Sequence, residues 1–275
     1  METILLVRYR AETLYAIRMD TIISITSIPS RFKYLPQIVK NLTHQGAKEV
    51  LVNIPREYSR WPDEKVEVPP ELYYIPGARV IRCEDYGPGT VYMAPLDIQS
   101  TAKYLMAVDD DTAYPSNLLS TLHSAIVEDP CVWCTSGFRI PEFFEKCGGI
   151  PRYHRGAVDV AEGYGGVMVE MDWIRQGRAY FEWMRAKYTH YDDLLLSNTM
   201  AHLNIPRKSW CDSVLNVQMI RQYSFGMEED ALWRQGGEGG HFATYAPVLN
   251  RLREDGEYNY STTWQSGIAS SSTTN

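Results

Sequence analysis

The stretch "KYLMAVDDDTAYP", residues 103–115, decides the reading of the fold. Five apolar residues, 104–108, run into three adjacent carboxylates, Asp109, Asp110 and Asp111. A short apolar run bounded by turn-forming residues reads as a buried strand. Three like charges in a row repel one another unless something positive lies among them. The plain alternative is a solvated turn, where Asp is common because its side chain bonds nearby backbone. The position weighs against that alternative, because the acids end a strand that looks buried.

Working outward, strand and helix patterns alternate. "TIISITSIP" (21–29) is β-branched and stops at Pro29, so it reads as a strand and a loop. "YLPQIVKNLTHQG" (34–46) has helical spacing and a glycine stop, and "KEVLVNIP" (48–55) is a second strand. The proline-rich 62–78 is a surface excursion, "RVIRCED" (79–85) a third strand, and "YGPGT" (86–90) a turn. A helix over 91–102 leads into the acidic strand, and a further helix opens near Pro115. This alternation predicts an α/β sheet with mostly parallel strands flanked by helices. In such sheets ligands bind beyond the carboxyl ends of the strands. "TSIPSR", "EDYGPG" and "DDD" all reach that edge.

Beyond residue 135 the pattern loosens. "EGYGG" (162–166) reads as a glycine-rich turn, "YDDLLLSNTMAHLNIP" (191–206) as a helix with acids at its start, and 234–254 as a glycine-rich run joined to a helix. The expected division is an extension over 1–19, one catalytic domain over 20–255 and a polar tail over 256–275.

The formal net charge is −7 and no Lys/Arg cluster is present, which argues against nucleic acid as a partner. No apolar run is long enough to span a bilayer. The first 20 residues carry Arg8, Arg10, Glu12 and Arg18 and do not read as a signal peptide, so a soluble, cytoplasmic protein is expected. The cysteines number five, an odd count that favours reduced thiols. Cys131 and Cys134 form a C-x-x-C, with Cys147 and His154 beyond, so a zinc site is the lesser reading. The preferred reading of "CVWCTSG" is a buried strand.

Carboxylates at a ligand-binding edge most naturally hold Mg²⁺ or Mn²⁺, through one or two acids plus substrate phosphates. The cation then cancels the charge of a diphosphate that an acidic protein would otherwise repel. "TSIPSR", "DYGPGT", "VDDDTAYP", "EGYGGV" and "YDDLLLS", in this order, resemble glycosyltransferases of the GT-A fold. More narrowly, they resemble small transferases of large DNA viruses of algae and of bacteria, over residues 20–210.

The resemblance implies a Rossmann-like GT-A fold, a nucleotide-sugar donor, most simply UDP-linked, and a glycan or glycoconjugate acceptor. Asp109 and Asp111 match the ends of a D-x-D motif and would hold the metal. Asp109 would also face the ribose, and Asp110 the sugar hydroxyls. Thr26, Ser27 and Arg31 match the loop that meets the nucleotide, and Tyr86 and Gly87 the base and ribose site. Glu162, Gly165 and Gly166 match the acceptor motif. Asp193 aligns with the acid that removes the acceptor proton, with Asp192 and then Glu162 next in line, and inversion is implied. A late histidine completes the metal shell in many such enzymes, which points to His241, in a glycine-rich stretch expected to act as a lid. One departure stands out: Val91 and Tyr92 lie where a lysine is expected.

Two other readings stay open. A sugar-phosphate nucleotidyltransferase would carry a basic, glycine-rich signature near the N-terminus, which "ISITSIPSRFKYLP" lacks. A non-catalytic carbohydrate- or nucleotide-binding module would have less reason to keep both the acidic run and the paired acids. Trp210, Trp233 and Trp264 are candidates for stacking on sugars, though core packing is the commoner role.

Overall fold

The computed structural model describes residues 19–147, 155–210 and 240–257. Strands β1 (Met19–Thr26), β2 (Ala47–Pro55), β3 (Ala78–Cys83), β4 (Tyr104–Val108), β5 (Val132–Phe138), β6 (Arg155–Ala157), β7 (Val160–Glu170) and β8 (Arg207–Trp210) form one sheet. Their order is β3-β2-β1-β4-β7-β5-β8-β6. The first four are mutually parallel. β7 runs antiparallel between β4 and β5, β8 is parallel to β5, and β6 closes the edge antiparallel to β8. This is the expected mixed, mostly parallel GT-A-type sheet.

Helices α1 (Leu35–Thr43), α2 (Thr90–Asp97), α3 (Leu118–Glu128), α4 (Ile140–Glu145), α5 (Met171–Lys187), α6 (Asp192–His202) and α7 (Gly240–Glu254) cover both faces. Alternate residues of β4 show why the strand sequence is continuously apolar. Leu105 and Ala107 join the core under α2, α4, α5, α6 and α7, whereas Tyr104, Met106 and Val108 join the core under α1 and α3. A buried polar stitch crosses the first of these cores. Asn53 Nδ2 donates to Ser24 Oγ at 2.8 Å, and Ser24 Oγ donates to the Val91 carbonyl at 2.6 Å, tying β2, β1 and α2 together.

From β1 the chain steps outward to β2 and β3, then returns to place β4 on the other side of β1. The crevice beyond the carboxyl ends of β1 and β4 is therefore a topological switch point, where open α/β sheets bind ligands. β1 ends at Thr26 and β4 at Val108, so Ser27 and the acidic run enter this crevice side by side.

Several local expectations need correction. "EGYGG" is not a turn but the interior of β7. Cys134 pairs with Val167 and Ser136 with Glu162, so Gly163, Tyr164, Gly165 and Gly166 together oppose Thr135. The result is a wide bulge, a device that re-aims backbone beside functional sites. The helix expected near Pro115 begins at Leu118, one turn later, after a Pro115–Leu118 turn. The long helix α5 had no forecast at all. Of the glycine-rich stretch 235–245, residues 235–239 lie outside the described residues, while Gly240 onward is α7 rather than loop.

α7 docks against α4, α5 and α6. Tyr245 and Phe242 pack on Phe143 of α4, and Asp255, just past α7, accepts from Tyr188 Oη at 2.8 Å and pairs with Lys187 at 3.1 Å. Among the described residues, no helix is long and apolar enough to cross a membrane.

Candidate active site

The acidic run divides into parts with different surroundings. Asp110 is the structural member. Ser27 Oγ donates to its Oδ2 at 2.5 Å and Arg31 Nη1 to its Oδ1 at 2.5 Å, so both oxygens are held. Ser27 is fixed in turn, because its carbonyl accepts from Tyr58 Oη at 2.6 Å. Burial pushes the Asp110 carboxyl up, and Arg31 opposes it. Burial works against the Arg31 charge, but Asp110, Asp111 and Asp109 outweigh it and hold the guanidinium protonated. This ion pair locks the β1 loop to the β4 loop.

Asp111 lies further out, half-buried, with Oδ2 at 3.3 Å from Arg31 Nη1 and Oδ1 accepting from Thr112 Oγ1 at 3.2 Å. Asp109 lies toward Gly163, its Oδ1 4.0 Å from a Cβ built there. Its backbone is pinned by Tyr114, whose hydroxyl accepts from Asp109 N–H at 2.7 Å and lies 3.1 Å from the Tyr164 carbonyl of the β7 bulge. Burial, then Asp111, Asp192, Asp110 and Asp193, push its carboxyl well above the usual range.

Gly163 is the point where the second set of acids converges. A Cβ built there would lie 3.2 Å from Asp193 Oδ1, 3.4 Å from Asp192 Oδ2 and 4.0 Å from Asp109 Oδ1. The glycine thus leaves open the space between the β4 acids and the first turn of α6. Its N–H donates to Asp193 Oδ1 at 2.7 Å. Tyr245 Oη of α7 donates to Asp193 Oδ2 at 2.8 Å. Burial and then Asp193 push Asp192 up to about 8, against the pull of the N–H groups of Asp192 and Asp193 at the helix start. Glu162 sits behind, 4% exposed, accepting from Ser136 Oγ at 2.5 Å. Burial and then Asp193 push its carboxyl up to about 7.

Other predicted residues stand apart from this cluster. Thr26 Oγ1 donates to the Asn53 carbonyl at 2.9 Å, a sheet contact. The Tyr86 hydroxyl reaches Glu84 and Asp97 at 3.0 and 3.3 Å and its ring lies under Arg185, so it braces α2 and α5. Gly87 has φ +63° with open space above it, and Asp85 Oδ1 accepts from its N–H at 2.8 Å. Gly165 is buried in β7. Gly166, at φ +100°, is closed over by Leu118 of α3, so its missing side chain serves packing.

Val91 and Tyr92, which stand where a lysine was expected, are core residues of α2 at 5% and 0% exposure. His241 is the second residue of α7, four before Tyr245, and its side chain lies outside the described residues. Trp210 packs edge-on against Trp133 at 5.6 Å. Trp233 and Trp264 lie outside the described residues.

Cys131 and Cys134 are buried, Cys134 within β5, and burial pushes both thiols up, Cys131 to about 12. Neutral buried thiols match the strand reading, and Cys211 and His154 lie outside the described residues.

Among the described residues, no three acids, histidines or cysteines are drawn together into a ready metal cage. The donor set nonetheless suits Mg²⁺ or Mn²⁺. It consists of hard carboxylate oxygens, and Asp109 is crowded by four neighbouring acids. A cation arriving with a diphosphate needs only one or two protein carboxylates.

Sequence reasoning missed Tyr245, Tyr114, Ser136 and Tyr58. Tyr245, Ser136 and Tyr58 join the site through contacts between residues distant in sequence, which no short-range pattern marks. Tyr114 instead lies inside "VDDDTAYP", five residues from Asp109, where its hydroxyl gives no sign of capping the backbone.

No protein-family model matches the chain, and no curated protein matches its sequence. The fold does resemble solved structures. S. aureus TarS, residues 1–349, superposes with a TM-score of 0.50 at 14% identity, over 90% of this chain and 91% of that one. The mannosyltransferase PcManGT from Pyrobaculum calidifontis, in complex with GDP-Man and Mn²⁺, gives a TM-score of 0.49 at 12% identity, over 88% of this chain and 70% of that one. At these identities the likeness concerns the fold.

Proposed function

We propose that the chain is a metal-dependent glycosyltransferase. It moves a sugar from a nucleoside-diphosphate donor, UDP-linked by preference, to a hydroxyl of a glycan or glycoconjugate. The observation that carries this reading is the acidic run at the β1/β4 switch point, facing Asp192 and Asp193 across Gly163. The resemblance of the D-x-D, glycine-rich and paired-acid segments to GT-A transferases supports it.

In this reading Asp111 and Asp109 would hold Mn²⁺ or Mg²⁺, with His241 as a further ligand. When bound, the cation neutralises the charge that grows on the departing diphosphate. Arg31 and Ser27 keep the acidic loop in place through Asp110. Asp193 takes the proton from the acceptor hydroxyl. The acceptor oxygen forms the new bond to the anomeric carbon as the bond from that carbon to the diphosphate oxygen breaks. A single displacement of this kind inverts the anomeric centre. Glu162, neutral up to about pH 7, lines the floor without adding a full charge.

A thermal-shift panel of UDP- and GDP-sugars, with and without Mn²⁺, tests the proposal, with release of nucleoside diphosphate as the second readout. Stabilisation that requires nucleotide and Mn²⁺ together is expected. Nucleotide stabilisation indifferent to Mn²⁺, with no diphosphate release from any donor, contradicts it.

A further inference from the structure

The Asp193 carboxylate is held at both oxygens by donors from two separate elements. Gly163 N–H of β7 reaches Oδ1 at 2.7 Å and Tyr245 Oη of α7 reaches Oδ2 at 2.8 Å. We infer that Tyr245 is a positioning residue, whose phenol holds Asp193 in the orientation in which it receives the acceptor proton. The inference rests on the reading of Asp193 as the base. It makes α7, which lies beyond the segment resembling GT-A transferases, a working part of the site.

Electrostatics explain why such a hold is needed. Asp192 and Asp109 approach the same point at Gly163, and Glu162 lies beneath. A carboxylate this close to other acids has competing orientations, toward water or toward whichever neighbour carries a proton. Two fixed donors, one at each oxygen, oppose rotation among these orientations.

Tyr245 is built for the task. It is 4% exposed, and its ring lies 5.3 Å from Tyr191, 6.2 Å from Phe138 and 6.3 Å from Phe143. Those rings fix the direction of the hydroxyl. Burial and the neighbouring Asp193 push the phenol well above its ordinary range, so it remains a donor. Downstream, α7 is tied to α5 and to Tyr188 through Asp255, and to α6 by Asn198 Nδ2 donating to the Glu257 carbonyl at 3.4 Å. A hydroxyl on a helix anchored in this way holds its target with little freedom.

The test is Tyr245→Phe, which keeps the ring and removes the hydroxyl. It is assayed by nucleoside-diphosphate release from UDP- and GDP-sugars with Mn²⁺, water serving as acceptor. Loss of a hydrogen bond to a charged group predicts a kcat about 10- to 100-fold lower. Calorimetric affinity for UDP with Mn²⁺ should stay within about twofold, because the donor site is untouched. In an Asp193→Asn background, Tyr245→Phe should add no further loss of kcat, whereas a general packing defect would add its own. If the Phe variant melts lower, it is assayed below its transition, and the coupling to Asp193→Asn decides.

Wild-type kcat in Tyr245→Phe, beside a crippled Asp193→Asn, overturns the inference and leaves the proposed function standing. Additive losses in the double variant overturn it equally. Full activity of Asp193→Asn overturns it by removing the base. No turnover of any sugar nucleotide by the wild type overturns the proposed function, and this inference with it.

Discussion

Replacing Glu162 by Gln should stabilise the protein at neutral and alkaline pH and do nearly nothing in acid. Glu162 is buried, and burial with Asp193 nearby moves its ionisation from the ordinary 4.5 to about 7. Below pH 4.5 the carboxyl is protonated in the folded and unfolded chain alike, so it carries no electrostatic penalty. Between 4.5 and about 7 the unfolded chain has released a proton that the folded chain keeps, and stability falls as pH rises. Above about 7 both states are ionised and the accumulated penalty is constant, about 3 kcal/mol at ~1.4 kcal/mol per pH unit. Gln has the same shape, can still accept from Ser136 Oγ, and does not ionise. Urea unfolding of both proteins in metal-free buffer, from about pH 4 to about pH 8, measures the difference. The advantage of Glu162→Gln should grow by about 3 kcal/mol across that range. Parallel stability curves, or a variant that loses ground as pH rises, would refute the claim that Glu162 is desolvated among other acids.

Gly163→Ala should lower turnover about tenfold by displacing Asp193 and Asp192 a few tenths of an ångström, while the unfolding free energy stays within about 1 kcal/mol, since Gly163 does not need positive φ. Steady-state kinetics beside denaturant melts check both halves. Gly177→Ala should destabilise by about 1–3 kcal/mol, because its Cβ would overlap the Thr199 side chain where α5 crosses α6. A more stable variant in urea unfolding would disprove that close approach. Tyr92→Phe should raise stability by about 1 kcal/mol, since the Tyr92 hydroxyl is buried without a hydrogen-bond partner among the described residues. A lower melting temperature would show that the hydroxyl does have a partner.

The first half of the fold is legible in the sequence because its signals are local. β-branched runs, a glycine stop after α1 and the abrupt end of β4 at Asp109 each lie within a few residues of one another. Beyond residue 135 the signals become nonlocal. The glycines of "EGYGG" suggest a turn when read alone, yet the flanking Glu162 and Val167 pair with β5 and Val167 also with β4, so the unpaired residues between them form a bulge rather than a reversal. α5 carries Arg175, Arg178, Glu182 and Arg185 among its apolar positions, and this mixed surface hid its helical stripe.

The site follows the same division. Asp109, Asp110, Asp111, Asp192 and Asp193 are visible as adjacent acids. Their division of labour is not, because it depends on Ser27 and Arg31 engaging the middle acid from the loop after β1. Tyr245 reaches Asp193 across 52 residues of chain, a contact that only the docked α7 creates.

On the proposed function, the acidic run binds a divalent cation together with a nucleoside diphosphate. Titration calorimetry of UDP into the wild type and Asp111→Asn, each with and without Mn²⁺, tests it most directly. Asp111 is half-buried and lies apart from the Ser27 contact that holds Asp110, so the variant should fold normally. Wild-type affinity for UDP should rise strongly with Mn²⁺, and most of this gain should disappear in Asp111→Asn. Mn²⁺-dependent binding that is unchanged in a folded Asp111→Asn protein, or wild-type binding of UDP that ignores Mn²⁺, would contradict it.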